Sequence, residues 1–575
     1  MTAPAARPAP RWLLRALTAA LPLLLLAALE GGLRAAGFGQ SLPLFVDAPA
    51  QPGYREVNPE VGRRFDVDPD APLLTRADPV YFARAKPTRG LRIFVQGSST
   101  AAGFPYGRFA SLAGMLQARL QSALPERRVE VVQTAMSAVN SYALLDFSSE
   151  ILAEAPDAVV IYAGHNEYLG MLGVGSTIAA GRSVWLTRSY LALRELRVFQ
   201  LLQRGAAALR ARLARPAAAG AAAARAPAVA GLMARVAGEK EIPLGSELYQ
   251  RGLAQLRANL GALLARYRRA GIPVFLATLA CNERHQPPFA GRAPAGAPAE
   301  DAADAWFERA VALDRAGDFA AARRAYLGAK DRDLLRFRAP EDANRVLREL
   351  AALHGAVLVD VQAALAADAP DGIIGRELML EHLHPNLRGY FLLADAFFDA
   401  LLASGALGAA AAARAEPDAL AWERQPLSEL DRRAGEYRVA ELLRQWPFAP
   451  PAEGAPAPGG ARAEAHAEDA IALLAARVAR GELSWTEGTQ QALALHAQRG
   501  EAAEAARSAL NLADTFPRSP RARLVAARWL IETRRAREAL WQLDRAAELA
   551  PSEPDLARAL DALRARAERL ELRDL

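Results

Sequence analysis

The stretch Leu91–Gly103, LRIFVQGSSTAAG, decides how this chain is read. A run of β-type apolar residues ends at Gly97, which leaves Ser99 at the carboxyl end of the strand it predicts. Two further runs repeat the pattern. VEVVQT, Val129–Thr134, leads into Ala135, and AVVIYA, Ala158–Ala163, leads into Gly164-His165-Asn166-Glu167. Downstream, Pro273–Thr278 and Ala356–Val361 read as two more strands, near-continuously apolar as buried parallel strands are. Helical spacing fills the first two gaps, at about Arg108–Leu124 and at Tyr142–Ala153. This βαβαβ succession predicts an α/β fold with a doubly wound parallel sheet. Ligands of such sheets bind outside the carboxyl ends of the strands, so Ser99, Ala135 and Asn166 converge by topology alone.

Far along the chain, Glu381-His382-Leu383-His384-Pro385-Asn386 supplies a carboxylate and an imidazole three residues apart. A hydroxyl nucleophile, a base oriented by a carboxylate and an amide donor are the parts that ester cleavage needs. Their order resembles the four blocks of the SGNH (GDSL-type) hydrolase superfamily, over roughly Lys86–Leu402. The first block, usually G-D-S, reads Gly97-Ser98-Ser99, and the resemblance makes Ser99 the nucleophile. The aspartate that Ser98 replaces is not a triad member in that family. Ala135 holds the position nearest the glycine whose N–H lines the oxyanion hole, and an alanine N–H can also donate. Gly164, Asn166 and Glu167 match G-x-N-[DE], which implies Asn166 as the side-chain oxyanion donor. Glu381, His384, Pro385 and Asn386 match D-x-x-H-P-N with glutamate for aspartate, implying His384 as the base and Glu381 as its orienting partner. His382 is the competing histidine, and the spacing and the following Pro-Asn favour His384. The G-x-S-x-G elbow of α/β-hydrolases is not met, because Ala101 stands where its second glycine belongs.

The resemblance implies a serine esterase that works through an acyl-enzyme, with no cofactor and no metal. Fold-level analogy points to an ester-bearing substrate such as an O-acetylated cell-envelope carbohydrate. An O-acyltransferase would use the same site. The alternative from another class is an interaction scaffold whose SGNH domain is weakly active or inactive.

The chain has 575 residues, too many for one core, so two or three domains are expected. Its 70 basic and 64 acidic residues are mixed along the helices, which suits solvated faces and gives no sign of a nucleic-acid partner. The single cysteine, Cys281, excludes an intramolecular disulfide and reads as a small buried hydrophobe.

Residues 1–38 read as a signal-anchor segment. Arg7, Arg11 and Arg15 precede the apolar run Ala16–Leu29, which Glu30 ends. No clear cleavage site follows, so the expectation is one uncleaved anchor in a bacterial inner membrane with the body in the periplasm; a secreted, cleaved form is the alternative. Residues 39–85 read as an irregular lead-in and 86–402 as the hydrolase-like domain. That domain carries helical insertions at about 170–250 and 290–345. The first insertion includes an alanine-rich stretch, Pro216–Val229. The second, WFERAVALDRAGDFAAARRAYLGAKD, resembles one tetratricopeptide (TPR) helix pair. Residues 403–462 form a connector with the Pro/Gly/Ala-rich linker Pro447–Gly460. In 463–575 a 34-residue period relates Ala505 to Ala539 and Pro517 to Pro551; this all-α tail resembles TPR repeats, which implies a protein partner.

Overall fold

The computed structural model describes residues 11–66, 73–178, 183–213, 231–449, 469–549 and 553–574. They divide into two units, Met1–Pro43 with Ala180–Ala228, and Leu44–Ala179 with Val229–Leu575. Arg7, the stretch Pro216–Val229, Pro551 and most of the linker Pro447–Gly460 lie outside the described residues.

The smaller unit begins with helix α1 (Arg11–Ala35). The expected membrane anchor falls on this helix, yet no helix among the described residues is both long and apolar enough to cross a membrane. What α1 does show is an apolar surface in the open, with Leu21, Leu23, Leu24, Leu25, Leu26 and Leu29 all exposed.

The larger unit corrects the irregular lead-in expected over 39–85. Strands β1 (Phe45–Asp47), β2 (Tyr54–Val57) and β3 (Tyr81–Ala83) form a small antiparallel sheet. Strands of three or four residues are too short to show a period, and this sheet owes its stability to what lies beneath it. Phe45 and Phe82 pack on Phe94 of the main sheet. Arg92 is fully buried, donates to the Ala83 carbonyl and pairs with Glu130, whose carboxylate also accepts the Ala83 N–H. Breaking one partner of such a pair would strand a charge in the core.

The main sheet is the parallel one predicted. Its strands are β4 (Leu91–Gly97), β5 (Val129–Gln133), β6 (Ala158–Tyr162), β7 (Val274–Ala277) and β8 (Val357–Val359), in the order β5-β4-β6-β7-β8. The strand order reverses beside β4, so the carboxyl ends of β4, β5 and β6 open the crevice in which an α/β sheet binds ligands. Helix α2 (Ser99–Ala102) follows β4, α3 (Leu112–Ala123) precedes β5, and α4 (Ser141–Ala153) lies between β5 and β6. Ser111 and Asn140 cap α3 and α4 through side-chain oxygens that accept from Gly114 N–H and Tyr142 N–H. Gln117 of α3 accepts the Val131 N–H and donates to the Val129 carbonyl, so a side-chain amide blunts the edge strand β5.

Beyond the sheet, the second insertion is a helix pair, Ala303–Arg315 and Phe319–Arg332, closed around Ala310, Ala322 and Tyr326. The tail is a succession of packed helices, and two of them, Ala502–Thr515 and Ala536–Leu549, begin 34 residues apart. It is not a separate bead. The helix Glu429–Leu443, read as connector from the sequence, shares a core with Ala470–Ala479 through Leu430, Ala434, Ile471 and Ala475. Trp485 packs at 5.5 Å on Phe109, in the turn before α3, and Arg108 forms an ion pair with Asp514.

Two further helices, α5 (Val184–Leu193) and α6 (Arg197–Leu213), complete the smaller unit. The first turn of α6 is tied to the end of α1, where the Glu30 carboxylate accepts the Val198 N–H at 2.9 Å.

Candidate active site

Ser99 is the first residue of α2. Ser98 before it is extended, with φ −110° and ψ −154°, so the chain turns sharply from strand to helix at the nucleophile candidate. Gly97 makes the turn feasible, because a Cβ there would lie 2.5 Å from the Tyr162 carbonyl oxygen on β6. Pairing of Val95 with Gln133 and of Gly97 with Tyr162 brings the loops after β5 and β6 to either side of this turn. The Met136 N–H reaches the Gly97 carbonyl at 3.4 Å.

The histidine arrives from the far end of the domain. Its loop is a tight reversal, in which Leu380 N–H donates to the His384 carbonyl and Asn386 N–H to the Leu378 carbonyl, both at 2.9 Å. Asn282, just past β7, holds the loop from below: its N–H donates to the His382 carbonyl at 3.0 Å and its amide to the Glu381 carbonyl at 3.1 Å. Asn386 caps the helix Leu387–Ala403 by accepting the Gly389 N–H, which explains an asparagine at that place in the motif.

The structure brings Ser99, His384 and Glu381 together. His384 Nε2 lies 2.8 Å from Ser99 Oγ, and its Nδ1 is hydrogen-bonded to Glu381 Oε1. A carboxylate can only accept from Nδ1, so Nδ1 carries the proton and the Nε2 lone pair faces the serine hydroxyl. Phe104 packs on the imidazole at 4.6 Å and limits its tilt.

Glutamate serves where the motif has aspartate because its carboxylate folds under its own loop. It accepts from Leu383 N–H at 3.2 Å, from His384 N–H at 3.3 Å and from both flanking imidazoles. Burial pushes the Glu381 carboxyl up, but His382 and His384 outweigh burial and hold it well below the usual carboxylate range. It is therefore an anion at neutral pH.

His382 is the feature that sequence reasoning did not assign. Its Nδ1 binds the other oxygen of Glu381, and the ring, 2% exposed, is boxed edge-on by Phe289, Phe337 and Phe448. Burial draws its pKa down against the upward pull of Glu381. His382 thus faces the carboxylate and not the serine, which separates the two histidines. Glu381, His382 and His384 offer three metal-ligand atoms close together, but the carboxylate and both Nδ1 atoms are engaged with one another and His384 Nε2 with Ser99.

The two oxyanion candidates sit at the same end of the sheet, and among the described residues no hydrogen bond links either to Ser99. The Asn166 amide donates to the Val139 carbonyl at 3.0 Å, and Met171 N–H donates to the Ala138 carbonyl at 2.7 Å, lacing the two loops together. Ala138, not Ala135, takes the left-handed conformation, with φ +63°. That is a backbone a glycine adopts without steric cost. Gly164 has φ +151°, and a Cβ there would run into Leu279. His165 accepts the Ala339 N–H on Nδ1 at 3.1 Å, and burial pulls its pKa down to about 3, which keeps it neutral.

Glu167 fixes these loops to α4. Its carboxylate accepts from the Ser141 N–H at 2.8 Å, the Ser141 hydroxyl at 2.9 Å and the Gln255 amide at 2.9 Å. Burial outweighs these donors and pushes its pKa up to about 7. A carboxyl raised above its unfolded value of 4.5 stabilises the fold fully below that value, and the contribution is lost as pH rises through about 7. The stability advantage of the parent over Glu167→Gln is therefore expected to shrink between pH 5 and 8. The change should reach about 3 kcal/mol at 1.36 kcal/mol per unit, read from urea midpoints. A constant difference across that range would show that the carboxyl is ionised throughout.

No family model matches this chain, and no curated protein matches it. Among solved structures it is similar to the acetyl xylan esterase AlAXEase, at 13% identity over 54% of this chain and 100% of that one, with a TM-score of 0.28. It is also similar to the lipase/acylhydrolase from Enterococcus faecalis, at 14% identity over 55% of this chain and 96% of that one, TM-score 0.27. A GDSL-like lipase from Bacteroides thetaiotaomicron is similar at 11% identity over 56% of this chain and 92% of that one, TM-score 0.26.

Proposed function

We propose that this chain is an SGNH-type serine esterase that cleaves acyl esters through a covalent acyl-enzyme. The observation that carries the reading is the unbroken hydrogen-bonded line from Glu381 through His384 to Ser99, assembled from residues 285 positions apart. In the proposed reaction Ser99 Oγ attacks the ester carbonyl carbon as His384 Nε2 takes the hydroxyl proton. Glu381 keeps the imidazole in its productive tautomer and stabilises the imidazolium. Collapse of the tetrahedral intermediate breaks the C–O bond, and His384 returns the proton to the leaving alcohol. Water then repeats the sequence on the acyl-enzyme and releases the acid. The proposed oxyanion donors are the Ser99 N–H, an N–H in the Ala135–Ala138 turn and the second amide hydrogen of Asn166.

A fluorophosphonate probe tests this directly. Ser99 should be the one serine that acquires the phosphonyl group, seen by peptide mass. No adduct, or an adduct on another serine, would remove the reading.

The substrate class follows the sequence resemblance: an O-acyl ester on a cell-envelope carbohydrate. The periplasm-facing inner-membrane location is proposed with it, supported by the open leucine surface of α1. The helix pairs with their 34-residue spacing support a TPR-like tail with a protein partner. Its packing on Phe109 supports a second role, bracing the Ser99 turn.

A further inference from the structure

Helices α5 and α6 carry the same exposed pattern twice. Trp185, Leu186 and Leu193 are open on α5, and Leu201, Leu202 and Leu209 are open on α6. Both sets follow the spacing i, i+1, i+8, which at 3.6 residues per turn confines each to an arc of about 100°. Trp185 is 73% exposed and Leu202 64%, while the opposite side of α5 is buried through Thr187 and Leu191. A stable fold does not leave six large apolar side chains on adjoining helices in water without a use.

Charge says what covers them. Residues 183–213 contain six arginines and a single acid, Glu195. Arg188 and Arg204 stand three residues after Trp185 and Leu201, beside the apolar arcs in both helices. An apolar stripe with tryptophan, edged by arginine and poor in acid, fits the boundary between acyl chains and anionic headgroups. A protein partner would also have to supply matched carboxylates at both helices, whereas anionic lipid supplies phosphate everywhere along the stripe.

Depth is set within the same unit. The exposed leucines of α1 end at Leu29, and Glu30 next to them accepts the Val198 N–H in the first turn of α6. Arg34 donates to the Glu195 carbonyl at 3.2 Å, and Gln40 exchanges hydrogen bonds with Gln200. The start of α6 is thereby held at the level where the apolar surface of α1 stops. From these observations we infer that α5 and α6 form an interfacial docking hairpin, their Trp/Leu arcs sunk into the acyl boundary of an anionic bilayer whose phosphates face the arginine-rich, acid-poor edges of the two helices. This rests on the membrane location proposed above and adds a second contact to it.

The test uses the full chain in vesicles of phosphatidylcholine with and without phosphatidylglycerol. With Cys281 replaced by serine, an environment-sensitive fluorophore is placed at Leu202→Cys or, as a control, at Leu353→Cys, which is 67% exposed on the larger unit. At position 202 the emission should shift to the blue and be quenched by lipid-borne nitroxide, more strongly with phosphatidylglycerol present. At position 353 it should stay water-like and yield to aqueous iodide. Iodide quenching at 202 equal to that at 353, with the chain still on the vesicles, would leave the α1 attachment standing and overturn the hairpin. Protection from iodide without lipid quenching would show a second copy or a partner protein on this face, and would overturn it too. A chain that stays off the vesicles altogether defeats both.

Discussion

A Ser99→Ala chain is expected to melt like its parent and to hydrolyse a small acyl ester such as p-nitrophenyl acetate roughly 10⁴–10⁶-fold more slowly. The fold should not notice the change. Ser99 is half-buried, the helix it opens is held by backbone bonds, and the hydroxyl is hydrogen-bonded to His384 Nε2 at 2.8 Å. Chemistry should notice it fully, because the acyl group would have no oxygen on which to rest. Ser98→Ala is the matched control, and its effect should be small by comparison. Equal turnover in parent and Ser99→Ala would remove this serine from the reaction.

His384→Ala is expected to cost as much as Ser99→Ala, and the double variant no more than either alone. Groups that act as one unit are strongly non-additive, since either loss already removes general-base attack. Glu381→Gln should cost less, about 10³–10⁴-fold, because the base survives while its tautomer and charge are disturbed. That variant should also lose stability. An amide nitrogen would replace one of the two oxygens that now accept the His382, His384, Leu383 and His384 backbone donors. His382→Ala leaves the Ser99–His384 pair in place and should cost far less turnover than His384→Ala. If His382→Ala proves the inactivating change, the geometry at Glu381 is being used in another way. Rates on the small ester, set beside urea midpoints for each variant, distinguish lost chemistry from lost fold.

All five parallel strands were legible in the sequence, to within a residue or two at their ends, because each is a short apolar run bounded by a turn. The meeting of Ser99 with the Glu381–His384 loop was legible for a different reason. Topology alone carries the ends of parallel strands to one edge of the sheet, and motif order supplied the rest. The β1–β3 sheet was not legible. Its strands are stabilised by Phe94 and the Arg92–Glu130 pair, which lie dozens of residues away in sequence. The left-handed turn at Ala138 was not legible for a related reason: an alanine in a left-handed turn looks like any other alanine until its φ is known.

The sequence by itself thus determined the parallel sheet, the order of its strands in the chain and the meeting of Ser99 with the Glu381–His384 loop at its crevice. These depend on hydrophobic runs, turn residues and short spacings, all of which are local. Spacing and the following Pro-Asn favoured His384 over His382, but only the tertiary structure shows which ring nitrogen meets Ser99. It also decided how a glutamate fits, by folding the longer side chain under four donors, and that Trp485 of the tail packs on Phe109. Those outcomes depend on contacts between residues far apart in the chain, whose energies no local pattern records.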